Sequence, residues 1–245
     1  LQNELSVFTF DNSQRPLDGV SVSYKCINVA CDLGRSQFDG NQAVFTSKFP
    51  LCVNGYVFGS KPGYHFSKEL FTTNVPGSVS LYLEPVRSLD LDVLAMRSGS
   101  GEIKEGEKVF ISLVESEKEY GVSLVYPDQK KIDLIPGFYN VDLYLMSEFD
   151  EGFSIPKRDI KRCIDVPRGG VAGAFGATEQ KCFNLEIPGM TLSQGITGRS
   201  KYLVSISESD IAKGKVRFFV NYKGRPKTIE DLNVEAKDAR YPVFG

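Results

Sequence analysis

The sequence predicts an all-β chain built as tandem antiparallel β-sandwiches. Three observations carry this. Apolar and polar residues alternate with period two in segment after segment, Gly, Pro, Asn and Asp punctuate those segments at short intervals, and no stretch keeps an apolar 3.6-residue period beyond a turn or two. Successive side chains of a strand point to opposite faces, so each alternating segment offers one face to a core and one to water.

In chain order, residues 5–10 read as a short strand that is hydrophobic on both faces. Val20, Val22, Tyr24 and Cys26 then alternate with Ser21, Ser23 and Lys25, and 53–60 reads as a weaker strand. Val79, Leu81 and Leu83 alternate with Ser80, Tyr82 and Glu84; Leu89, Leu91 and Val93 alternate with Asp90 and Asp92. Weaker strands at 108–114 and 122–126 precede Tyr139, Val141, Leu143 and Leu145, which alternate with Asn140, Asp142 and Tyr144. After 183–187 and 202–207, Val216, Phe218, Val220 and Tyr222 alternate with Lys215, Arg217, Phe219 and Asn221. Helix signals are peripheral: one capped turn from Ser207 to Gly214, and Thr228-Ile229-Glu230-Asp231, which has the form of a capping box. Glu84-Pro85-Val86-Arg87 marks a boundary, giving one sandwich over 1–86 and a second over 87–245. The second carries an insertion at about 150–190, where the alternation fades and Gly and basic residues gather.

Composition narrows the function. The 245 residues are 41% hydrophobic and 24% charged, which a packed core requires and a disordered chain lacks. Lys and Arg total 29 against 31 Asp and Glu, a net charge of −2 that offers no broad basic field to nucleic acid or anionic lipid. No run approaches the ~18 apolar residues of a membrane helix, so no transmembrane segment is expected in this chain. His65 is the sole histidine, which excludes sites needing two and leaves no cofactor or metal expected. The chain starts at Leu1 with neither a charged n-region nor an apolar h-region, as expected of a processed protein or a segment of a longer one.

None of the five cysteines forms a Cys-x-x-Cys pair. Cys163 and Cys182 bracket a Gly-rich segment and are expected to close it as a disulfide, contributing about 3 kcal/mol in the chain-entropy model. Of Cys26, Cys31 and Cys52, two are expected to pair, Cys31 with Cys52 being favoured, with one thiol left over. Oxidised cysteines point to an extracellular or cell-surface location; five reduced, buried thiols are the alternative.

The stretch Phe10-Asp11-Asn12-Ser13-Gln14-Arg15-Pro16-Leu17-Asp18-Gly19-Val20-Ser21-Val22 resembles the opening of carboxypeptidase-regulatory-like (prealbumin-like, PEGA-type) β-sandwich modules. There an acidic turn and Pro-Leu-x-Gly lead into a strand of alternating valines. Cys52-Val53-Asn54-Gly55-Tyr56-Val57 and Lys61-Pro62-Gly63-Tyr64 resemble the same family's closing strands, so the match spans about 5–84. Within it, Gly55 is read as a bulge or close approach inside a strand rather than a hairpin turn. Pro136-Gly137-Phe138-Tyr139-Asn140-Val141 repeats the Pro-Gly-x-Tyr-x-Val element, making the second sandwich a divergent relative. The cysteines are similar to versions in secreted or surface-anchored archaeal proteins. The resemblance implies an Ig-like or prealbumin-like fold and a non-catalytic module that holds, adheres or assembles.

Candidate chemistry is sparse. His65 lacks a nucleophile elbow to serve, and Arg97-Ser98-Gly99-Ser100-Gly101 reads as a flexible loop. Asp90 and Asp92 read as a solvated strand face, and the acidic cluster Glu148, Asp150 and Glu151 lacks calcium-loop spacing. The basic run Lys157, Arg158, Lys161 and Arg162 reads as a solvated loop. The Gly-rich 169–177 stretch lacks phosphate-loop chemistry and is expected to pack on its own domain or to present Val171 and Phe175 to a partner. Leu5, Val7, Phe8 and Phe10 form a candidate interface strand for exchange with a neighbour, and Tyr82 and Tyr144 are candidate stacking residues for a glycan. The expected function is therefore a non-enzymatic extracellular structural or adhesive protein. It would be a segment of a surface protein or the subunit of an assembly or filament, partnered by itself or another surface protein and not by nucleic acid. A carbohydrate-binding accessory module is the alternative, and a carboxylate-based glycosidase a third.

Overall fold

Alternation along the strands sorts the buried side chains into two separate cores. A computed structural model describes residues 2–167, 178–226, 231 and 240–245. Val171, Phe175 and the rest of the Gly-rich stretch lie outside the described residues, as does most of the 228–231 capping box. The first half of the chain contributes β1 (Gln2–Asp11), β2 (Ser21–Cys26), β3 (Val29–Arg35), β4 (Gln37–Phe38), β5 (Ala43–Pro50), β6 (Gly55–Ser60), β7 (Tyr64–His65), β8 (Ser67–Phe71) and β9 (Gly77–Pro85). The second contributes β10 (Arg87–Met96), β11 (Glu107–Glu115), β12 (Gly121–Tyr126), β13 (Lys131–Leu134), β14 (Gly137–Ile155), β15 (Arg158–Pro167), β16 (Thr178–Ile187), β17 (Met190–Ile206), α1 (Glu208–Ile211), β18 (Lys215–Asn221) and β19 (Val243–Phe244).

The chain is all-β, and its sheets face each other in pairs. A sheet ordered β4-β5-β1-β9-β7 closes over one ordered β3-β2-β6-β8, burying Leu5, Val7, Phe49, Leu81 and Leu83 against Val20, Val22, Tyr24 and Val57. A sheet ordered β13-β10-β18-β19 closes over β12-β11-β14-β17, burying Leu89, Leu91, Val93, Val216 and Phe218 against Ile111, Leu113, Val141 and Leu143. Most ladders are antiparallel. Two are parallel: β1 with β9, and β10 with β18. A parallel neighbour needs a long return path, and the strands of the facing sheet supply it in each case.

The turn that carries the family resemblance is organised by one carboxylate. Asp11 accepts from the backbone N–H of Ser13 (2.8 Å) and Arg15 (3.0 Å) and from Arg15 Nε (2.8 Å). Leu17 N–H then returns to the Thr9 carbonyl (2.9 Å), and Gly19, at φ 66°, releases the chain into β2. In the second sandwich Tyr139 is fully buried, and its hydroxyl donates to the Ile135 carbonyl (2.8 Å), closing the Pro136–Gly137 turn.

Two expectations are corrected. β1 is not an interface strand: β5 and β9 occupy both its edges, Leu5 and Val7 are core side chains, and Phe8 and Phe10 are half-buried on the outer face. Cys52 bonds to Cys26, not to Cys31. Cys52 lies between β5 and β6, and β2, with Cys26, is the neighbour of β6, whereas Cys31 sits one strand farther out on the sheet's edge. Its thiol donates to the Tyr24 carbonyl (3.6 Å).

The described part of the inserted region is regular strand rather than loop. β14 and β17 stay paired past the sandwich, through register shifts at Leu145/Met146 and Glu148/Phe153, as far as Ile155↔Met190. β15 and β16 then form a separate two-stranded ribbon, stapled by Cys163–Cys182, and the basic run falls at its base and along β15.

Gly55 opens β6 directly against Tyr24, and a methyl there would overlap the Tyr24 ring and hydroxyl. Gly55→Ala is expected to lower unfolding stability by about 2–3 kcal/mol through overpacking, read from the urea midpoint at unchanged slope.

Candidate functional site

Three surfaces gather the side chains that sequence reading singled out, and they are separate. The first lies where the halves of the chain meet. Glu115, at the end of β11, is almost fully buried and accepts from the backbone N–H of Glu117 (2.6 Å), Lys118 and Phe138 (3.1 Å). Burial pushes this carboxyl up, but the three N–H donors outweigh it and hold the pKa below the usual glutamate value. The loop so fixed aims Lys118 at the first sandwich: Nζ reaches Glu84 (2.6 Å) and the Pro136 carbonyl (2.7 Å). His65 Nε2–H donates to the Lys118 carbonyl (2.6 Å), and its ring packs on Phe66 and edge-on to Tyr120. Lys68 pairs with Glu119 (2.5 Å). His65 is thus a packing residue between the halves.

Beside this junction runs an open groove of about 290 Å³ lined by His65, Lys68, Tyr82, Glu84, Glu117 and Lys118. Tyr82 is 51% exposed and stacks on Phe10, centroids 5.4 Å apart at 21°. The second surface is the outer face of β11 and β14. There Phe110, Tyr144 and Arg199 occupy one cross-strand row. The Arg199 guanidinium lies 4.6 Å over the Tyr144 ring and bonds Asp142 through Nε (3.1 Å) and Nη2 (2.8 Å). Tyr144 is half-buried, its pKa raised by burial and by Asp142, to which its hydroxyl donates (3.2 Å). Tyr82 and Tyr144 are therefore not brought together.

The third surface is the β15–β16 ribbon. Directly opposed residues share a face, so Ile160/Leu185, Arg162/Phe183, Ile164/Lys181 and Val166/Glu179 line one side, and Asp159/Glu186, Lys161/Asn184, Cys163/Cys182 and Asp165/Gln180 the other. Ile164, Phe183 and Leu185 are 51%, 51% and 54% exposed. Sequence reading missed this stripe because cations interrupt it, although Ile160, Ile164 and Val166 keep the period of two. It also missed the aliphatic end of the first sandwich, where Ile27, Val29, Val53 and Val75 stand exposed near the Cys26–Cys52 bond. Ile27 sits at φ 54°, a conformation that a β-branched residue rarely adopts.

Among the described residues, no group of three or more His, Cys, Asp or Glu could hold a metal ion, and the His65 ring bonds a backbone carbonyl rather than a hydroxyl or thiol. Among the described residues, no helix is long and apolar enough to cross a membrane.

No family model matches the chain, and no curated protein matches it. Among solved structures it is similar to the shaft pilin SpaA of Lactobacillus rhamnosus GG, at 10% identity over 62% of this chain and 90% of that one, with a TM-score of 0.28. The minor pilin GBS52 of Streptococcus agalactiae aligns at 13% identity over 97% and 100% of the two chains, TM-score 0.30. A DUF3823 family protein of Parabacteroides merdae aligns at 10% identity over 59% and 90%, TM-score 0.26. Scores this low carry no argument about the chain.

Because the Glu115 pKa is lowered by folding, its contribution is present above the usual glutamate value and is lost as pH falls through the folded value. Glu115→Gln is expected to cost about 2 kcal/mol at pH 7 and to flatten the loss of stability below about pH 4.5, measured by urea unfolding across pH.

Proposed function

We propose that the chain is a non-enzymatic structural or adhesive segment of an extracellular surface protein, working through its outer surfaces and associating through the inserted ribbon. The observation that carries this is the ribbon itself. A two-stranded sheet is marginal alone in water, yet β15–β16 forms a sheet of its own, with one face carrying half-exposed Ile164, Phe183 and Leu185. Exposed apolar area of this kind marks a contact surface. Two disulfides support an oxidising location. The turn around Asp11 supports membership in the carboxypeptidase-regulatory-like class suggested by its sequence, in the style of surface-anchored archaeal versions, with the division at 86/87 separating two modules. The groove at the junction supports no catalytic reading, since its one histidine is engaged in packing.

Glycan binding is a second reading, favoured by Tyr82. Its exposed ring, backed by Phe10 and edged by Glu84 and Lys68, is a platform on which a sugar face can stack. Selective binding on a glycan array that Tyr82→Ala abolishes would put this reading first.

Replacing residues 156–189 by a short Gly-Ser linker is expected to leave both sandwiches folded and to convert a self-associating chain into a monomer, as read by light scattering. An intact chain that stays monomeric at high concentration and binds no cell surface would sink the assembly reading.

A further inference from the structure

The geometry of the stapled ribbon specifies how a partner can add to it. Cys163 and Cys182 oppose each other at a Cα–Cα distance of 3.9 Å. Antiparallel rungs without hydrogen bonds are narrow, about 4.5 Å, and bonded ones about 5.5 Å. The Cys163 rung is therefore unbonded, and its N–H and C=O point away from β16. By alternation, the backbone groups of Asp159, Lys161, Cys163 and Asp165 line the outer edge of β15, unpaired among the described residues. Pro167, in the last described rung, adds a carbonyl without a donor.

An antiparallel strand can bond to that edge only where its own outward groups face these residues. When the partner is β15 of another copy, odd-numbered residues must oppose odd-numbered ones, and only centres from Lys161 to Ile164 pair more than half of the ten-residue strand. A centre on Ile160 also sets Asp159 against Lys161 but overlaps five residues and sets Arg158 against Arg162. Centring on Lys161 sets Lys161 against itself. Centring on Arg162 sets Arg162 against itself and Asp159 against Asp165. Centring on Ile164 sets Lys161 against Pro167 and Asp165 against Cys163, so no rung joins opposite charges. Centring on Cys163 sets Lys161 against Asp165 twice over, with Ile160 against Val166 and Arg162 against Ile164, and places Asp159 opposite Pro167 only at the two outermost rungs. Opposite charges directly across a rung stabilise a pair of strands, and like charges oppose it. Within the described chain neither Lys161 nor Asp165 has an ion pair of its own.

We propose that a second copy of this chain pairs antiparallel along β15 in the register centred on Cys163. The two ribbons then form one four-stranded sheet, β16-β15-β15-β16, whose apolar side carries Ile160, Ile164, Val166, Phe183 and Leu185 from both copies. This rests on the assembly reading above and names its partner, contact strand and register.

Sedimentation equilibrium of the full oxidised chain tests it with four proteins: wild type, Lys161→Asp, Asp165→Lys, and the double exchange. Each single reversal creates two like-charge rungs and is expected to weaken self-association at least tenfold. The double exchange restores opposite charges and is expected to return to within about threefold of wild type. Far-ultraviolet circular dichroism and intact-mass analysis must show the same fold and the same two disulfides throughout. A self-associating wild type that is indifferent to the single reversals, or single defects that the double exchange does not repair, overturns the register while leaving assembly standing. A monomeric wild type overturns both.

Discussion

Every strand leaves a row of N–H and C=O groups at each edge, and a sheet is settled only when those rows are closed, shortened or shared. Both sandwiches meet this constraint mostly by shortening. β4, β7 and β19 are two residues long and β13 is four, so these edges offer little to a stray strand. The edge of β17 is closed in part by a bridge from Gly198 to Tyr222 and by the Lys223 N–H on the Thr197 carbonyl (2.8 Å). Among the described residues, β3, β8 and β12 each leave one edge open over seven, five and six residues, whereas the ten-residue strands of the ribbon, β15 and β16, leave both edges of their sheet open. Its Cys163–Cys182 staple restricts the unfolded chain rather than closing an edge. The ribbon is the sheet left open on both sides.

The junction shows how charge is used elsewhere. Glu115 is buried at the end of β11, but its oxygens face backbone donors, so the charge is solvated by the loop it organises. That loop delivers Lys118 to Glu84 and to the Pro136 carbonyl, and places its own carbonyl under His65. The sole histidine is thereby absorbed into structure. Arg97 and Glu107 do the same at the far end of the second sandwich, a nearly buried pair at 2.6 Å beneath the Tyr222 ring.

How much was readable from the sequence depended on how local the deciding contacts are. Strands such as β10 and β18 have one face in a core, so Leu89, Leu91, Val216 and Phe218 announced themselves by alternation. The Asp11 turn was legible because its bonds close within a few residues. Phe219 was assigned to a wetter face yet is buried, because Arg240 covers its ring from a distant segment at 4.2 Å. The cystine partner of Cys52 depended on the order of strands in a sheet, which spacing along the chain does not encode. β1 looked like a free strand because it is apolar on both faces; it is apolar because it lies inside a sheet. In the ribbon, 183–187 of β16 was read as a weak strand, but β15 was misread as a solvated loop for the opposite reason. With no sandwich beneath it, its alternation is diluted by the charges that keep it in water.

The two parallel ladders set how the molecule answers a pull along its length. β1 leads into the first sandwich and lies beside β9, which leads out; in the second, β10 leads in beside β18, and the chain then returns antiparallel along β18 as β19. A tensile load entering at the start of one strand and leaving at the end of its parallel neighbour slides the two past each other. The rungs from Leu5↔Gly77 to Asp11↔Leu83 are then strained together in shear rather than peeled one at a time. In the first sandwich, tension along the chain therefore meets the ladder in the direction in which all its rungs resist at once.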